Sequence, residues 1–153
     1  MKKSRPELRR AIAALQRLAE VFQLRREQLA RTVGLAEAQL RVLEQVSTES
    51  FMPSLFARRR ERSAAAVSKV LRQLLDRGLV TASISRSDGR QRDYVLTAAG
   101  ERLMAELREA RRRAIDAVWA DLDPAELGRF AAFSDELAAR LEAFAQGEDG
   151  DAG

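Results

Sequence analysis

The stretch from Ser63 to Gly100, SAAAVSKVLRQLLDRGLVTASISRSDGRQRDYVLTAAG, reads as a helix, a two-stranded hairpin with a basic tip, and the start of a second helix. Val67, Val70, Leu71, Leu74 and Leu75 recur at the spacing of one apolar helix face, while Ala64, Ala65, Ser68, Lys69, Arg72 and Gln73 take the other. Ser63 suits an N-cap because its hydroxyl can accept from a free N–H of the first turn, and Gly78 can stop the helix by turning left-handed. The spacing therefore predicts a helix from Ala64 to about Arg77. Beyond it, Val80, Ala82 and Ile84 alternate with Thr81, Ser83 and Ser85, and Tyr94 and Leu96 carry the apolar side of a return strand. Ser87, Asp88 and Gly89 supply the turn, and Arg86, Arg90 and Arg92 lie at and around its tip.

A helix that exposes small and basic side chains can enter a major groove, and a basic ribbon beside it can reach phosphates or the adjacent minor groove. Ser63, Ala64, Ala65, Ser68, Lys69 and Arg72 would lie nearest the bases. Arg72 and Lys69 are the candidates for a guanine contact, and the alanines permit close approach and can meet thymine methyls. Arg90 is the candidate for the minor groove, with Asp88 holding it or Arg92 through a charge-assisted bond; the rival reading is a plain salt bridge within the turn. The run Arg58, Arg59, Arg60, Glu61, Arg62 leads directly into Ser63. Such a run is ordinarily a solvated face, but this placement makes Arg58 and Arg62 candidates for phosphate contact.

The stretch from Gln39 to Gly100 resembles the winged helix-turn-helix of the MarR family of bacterial transcription regulators. The matching pieces are AEAQLRVLEQV, SAAAVSKVLRQLLDRGLV and SDGRQRDYVLTAAG, of which the D-x-R-x-R wing followed by L-T-x-x-G is the most specific. The chain departs from the family's pattern at Arg60, Glu61 and Arg62, where an apolar-Gly-apolar turn is usual, and at Ala36, where a Ser or Thr cap is usual. With the long helices on either side, the resemblance covers nearly the whole chain. It implies a mainly α fold with a small β-hairpin wing, divided into an N-terminal dimerisation helix (1–34), a DNA-binding lobe (35–100), C-terminal dimerisation helices (101–146) and an acidic tail (147–153).

The flanking helices carry apolar stripes of their own. Leu8, Ile12, Leu15, Leu18, Ala19 and Phe22 fall on one face, continued by Leu29, and Gly34 followed by Leu35 has the pattern of a C-cap with its hydrophobic contact. That stripe could pack within its own subunit; the resemblance implies a dimer interface, with Leu8, Ile12, Leu15, Phe130, Leu137 and Leu141 as the dimerisation residues. Leu40, Val42, Leu43 and Val46 point inward from a short second helix, and Pro53 opens another that carries Leu55, Phe56 and Ala57. Thr97 can cap a helix from Ala98 to about Ala120, lined by Leu103, Leu107, Ala110, Ala114 and Val118, with Arg111, Arg112 and Arg113 solvated. Asp123, Pro124 and Glu126 mark the start of the last helix, and QGEDGDAG reads as a disordered end.

Composition narrows the function classes. The 153 residues suffice for one domain with a core, and the chain holds no cysteine and no histidine. Thiol redox sensing, disulfides and Cys/His metal sites are excluded, and so are the commonest general base and every cysteine nucleophile. No cofactor is expected, and the acidic residues are accounted for by caps and surface charge, which argues against an enzyme. The net charge of +4 is unevenly spread: residues 53 to 92 carry 10 basic and 3 acidic side chains, residues 121 to 153 carry 2 and 9. That distribution puts a polyanion at the middle of the chain. With no apolar run long enough to span a membrane and no signal-peptide pattern at the start, the expected location is cytoplasmic.

The leading expectation is a homodimeric, sequence-specific DNA-binding regulator that reads a pseudo-palindromic operator in double-stranded DNA. The resemblance implies that such a regulator is more often a repressor, and that a small molecule, often an anionic aromatic, can release it. The alternative is a winged-helix module for protein or RNA interaction without sequence-specific DNA readout.

Overall fold

The computed structural model describes residues 5–48, 63–84 and 92–151. Among them the order is α1 (Pro6–Thr32), α2 (Glu37–Val46), α3 (Ala64–Asp76), β1 (Val80–Ile84), β2 (Arg92–Leu96), α4 (Ala98–Val118) and α5 (Pro124–Asp151). This is the mainly helical fold with one small antiparallel hairpin that the sequence implies. The strands pair in register from Val80 opposite Leu96 to Ile84 opposite Arg92. The helix expected to open at Pro53, the arginine run and Arg62, and the wing tip with Arg86, Asp88 and Arg90 all lie outside the described residues.

The chain forms two compact units, one up to Ala110 and one from Arg111 onward. In the first, a single core gathers Leu29 and Ala30 from the end of α1, Leu35, all four inward positions of α2, and Val67, Leu71 and Leu74 of α3. Leu79, Val80, Met104 and Leu107 complete it. Leu43, Leu74 and Leu107 are wholly inaccessible, so truncating any of them to alanine would cost about 2–5 kcal/mol.

Two helix ends are closed in the same way. After α1, Gly34 takes φ +70° while Gly34 N–H donates to Arg31 O and Leu35 N–H to Ala30 O at 3.1 and 2.9 Å. After α3, Gly78 takes φ +69° and the matching bonds run from Gly78 to Leu75 and from Leu79 to Leu74, at 3.0 and 3.1 Å. Each is a Schellman closure that returns the chain onto the core through Leu35 or Leu79.

The Thr97–Gly100 pair joins the hairpin to α4. Thr97 Oγ1 donates to Gly78 O at 2.6 Å and accepts from Gly100 N–H at 3.1 Å, while Thr97 N–H donates to Leu79 O at 3.1 Å. The first turn of α4 is thereby brought against the turn that ends α3.

Some expectations are corrected. Of the alternating residues of β1 only Val80 is buried; Ala82 is exposed and Ile84 is 73% exposed, because the ribbon extends beyond the core. Met104, not assigned to the apolar side of α4, is buried in the core. Arg111 is half-buried, and burial lowers its pKa from the ordinary arginine value, so the triplet is not uniformly solvated; Arg112 pairs with Asp116 at 3.0 Å. The end read as disordered is helical as far as Asp151, since no proline or left-handed glycine interrupts α5 at Gly147.

In the second unit Asp123 caps α5 as expected, its Oδ1 accepting from Ala125 N–H at 3.0 Å. Phe130, Phe133, Leu141 and Phe144 are exposed along α5, and Leu127 and Leu137 are half-buried.

Candidate nucleic-acid interface

The chemistry of α3 follows from its cap and its two faces. Ser63 Oγ accepts from Ala66 N–H at 3.1 Å, satisfying one of the free donors of the first turn and fixing where the helix begins. Val67, Leu71 and Leu74 then turn into the core, which leaves Ser63, Ala64, Ala65, Ser68, Lys69 and Arg72 exposed. At 3.6 residues per turn, Ala64, Ala65, Ser68, Arg72 and Lys69 occupy an arc of about 140°. Small side chains at the N-terminal end let a surface approach the backbone closely, and the two cations stand farther along.

Arg92 is exposed on β2, opposite Ile84. The other candidates, Arg58, Arg62, Arg86, Asp88 and Arg90, lie outside the described residues. Of the dimerisation candidates, Leu8, Ile12, Leu15, Phe130 and Leu141 are exposed and Leu137 is half-buried.

Sequence reasoning missed the polar groups that hold α3 from behind. Gln73, placed on the polar face, is half-buried and its Oε1 accepts from Gln39 Nε2 at 3.0 Å. Gln39 Oε1 accepts from Ala36 N–H at 3.0 Å, taking over at the start of α2 part of the work a Ser or Thr cap would do. Arg77 Nη1 donates to Gly34 O at 2.7 Å. The signal at Gln39 was available, since a glutamine at N3 is half of a capping box. Nothing in the sequence pairs it with Gln73.

Among the described residues no group of three or more Asp, Glu, His or Cys side chains could hold a metal ion, and no helix is long and apolar enough to cross a membrane.

No family model matches the sequence, and no curated protein matches it. Solved structures match it strongly. A MarR family transcription regulator has a TM-score of 0.81 at 18% identity, covering 92% of this chain and 93% of its own. Staphylococcus aureus MarR in complex with salicylate and kanamycin has a TM-score of 0.74 at 16% identity, covering 87% and 91%. A point mutant of Staphylococcus aureus MepR bound to an oligodeoxyribonucleotide has a TM-score of 0.58 at 16% identity, covering 86% and 97%. The chain thus has the winged helix-turn-helix fold with flanking helices seen in MarR-family regulators, shared across nearly its whole length at low identity.

Proposed function

We propose that this protein is a homodimeric, sequence-specific DNA-binding transcription regulator, acting as a repressor on a pseudo-palindromic operator. The observation that carries the reading is the exposed face of α3, small at its capped end and basic beyond, on a fold shared with a protein bound to an oligodeoxyribonucleotide. In this reading Lys69 and Arg72 contact base edges, Ala64 and Ala65 allow the helix to seat, and Ser63 and Ser68 bond to bases or phosphates. Arg58, Arg62, Arg86 and Arg92 neutralise phosphates, and Arg90, held by Asp88, enters the minor groove.

The dimer is supported by the exposed stripe of α1. Leu8, Ile12, Leu15, Leu18 and Phe22 are each between about two-fifths and just over half exposed in the single chain, and covering them would contribute about 1 kcal/mol apiece. Phe130, Leu137 and Leu141 of α5 are the further dimerisation candidates. Two α3 helices related by a two-fold axis would then meet half-sites about 10 base pairs apart. A small anionic aromatic effector belongs to the proposal through the salicylate held by Staphylococcus aureus MarR, and a cytoplasmic location goes with the role.

Sedimentation equilibrium together with duplex binding at a series of salt concentrations tests this reading. A dimer whose log affinity falls linearly with log salt, by about 0.9 for each phosphate neutralised, is expected. A stable monomer, or RNA or protein ligands preferred to duplex DNA, would favour the interaction-module reading instead.

A further inference from the structure

We infer that the turn between α1 and α2 is the joint that sets the angle of α3 against α1, and that Arg77, Gln73 and Gln39 are positioning residues for DNA readout; the second clause rests on the proposed DNA-binding role. Three bonds converge on this turn: Arg77 to Gly34 O at 2.7 Å, Gln39 to Gln73 at 3.0 Å, and Ala36 N–H to Gln39 at 3.0 Å. The turn, through Gly34, and the first turn of α2, through Gln39, are thus bonded to Arg77 and Gln73 at the C-terminal end of α3, about one helical turn apart.

The N-terminal half of α2 is tied back to α1. Arg41 of α2 donates to Glu37 and, at 3.4 Å, to Gln23 of α1, and Arg26 Nε stands 3.8 Å from Glu37 Oε1. The helix α1 itself is divided: Leu8 to Phe22 present their apolar stripe outward, whereas Leu29 and Ala30 are built into the core. It is a lever with one end exposed along its apolar stripe and the other end fixed beside the joint.

Apolar packing of Val67, Leu71 and Leu74 holds α3 to the core but is non-directional, so it fixes the angle of the helix less sharply than bonds between particular atoms do. Hydrogen bonds are directional, and the Gln39–Gln73 bond is partly shielded from competing water. The core supplies adhesion; the polar joint supplies the angle. A change in how α1 is seated would therefore reach the exposed face of α3 through Gly34, Gln39, Gln73 and Arg77.

The chain has no cysteine, so a cysteine pair introduced by Arg17→Cys and Ala66→Cys takes spin labels at those positions alone. The doubly labelled chain, diluted into unlabelled protein, reports the distance distribution between α1 and α3 within one subunit, with or without DNA. The expected result is a narrow distribution that broadens in Arg77→Ala combined with Gln39→Ala, is largely restored by Arg77→Lys with Gln39 intact, and is unmoved by Val70→Ala. On duplexes with one base pair added or removed between half-sites, the discrimination between spacings should fall roughly threefold to tenfold in the double variant. A distribution that keeps its width while the melting temperature drops would overturn the inference, making the bonds plain stabilisers. Broadening with unchanged spacing preference would overturn the positioning role. Broadening in a chain that binds no DNA would keep the joint and refute the DNA-binding reading.

Discussion

Gly100 illustrates how one residue is dictated by its surroundings: a Cβ there would lie 2.2 Å from Leu79 O, the carbonyl that also accepts from Thr97. Neither backbone can yield without breaking the joint between the hairpin and α4. Gly100→Ala should therefore destabilise the fold by about 1–3 kcal/mol, read as a lower urea midpoint with little change in slope. The exposed cations have the opposite character. Arg72 touches nothing the fold requires in the described contacts, so Arg72→Ala should leave the urea midpoint in place. On the proposed function the cost should fall on DNA binding instead, about 1–3 kcal/mol and confined to particular base positions, as measured by binding to a set of single-base operator variants.

At the scale of elements, the helices were legible because their punctuation is local. Ser63, Gly34, Gly78 and Asp123 do what their positions suggest, and the four inward residues of α2 follow directly from its period. Ile84 was not legible, since alternation tells which side of a ribbon a residue takes but not where the core beneath it ends. Gln73 was not legible either: periodicity separates apolar from polar faces and is silent on which polar residue finds a partner 34 positions away. The α5 end misled by composition, because acidic and glycine-rich sequence resembles a tail even where the helix continues. For α1 the exposed stripe makes a separate prediction. Leu15→Glu should convert the proposed dimer to monomer by sedimentation while leaving the melting of the first unit within about 0.5 kcal/mol, since Leu15 lies outside the core.

The whole molecule is organised by charge as much as by packing. The segment around α3 carries the basic excess and the segment from residue 121 the acidic one, so the net charge of +4 understates the field that a duplex would meet at α3. Among the described residues, the exposure of Ser63, Ala64, Ala65, Ser68, Lys69 and Arg72 was readable in advance, because the apolar period of α3 fixes which face turns to the core. Selection of bound duplexes from a random pool, by the parent chain and by Arg72→Ala and Arg90→Ala, tests the account most directly. It predicts an enriched inverted repeat, with preference relaxed at particular positions by the Arg72 change and affinity weakened broadly by the Arg90 change. A well-folded dimer that enriches no sequence at any salt concentration would contradict it.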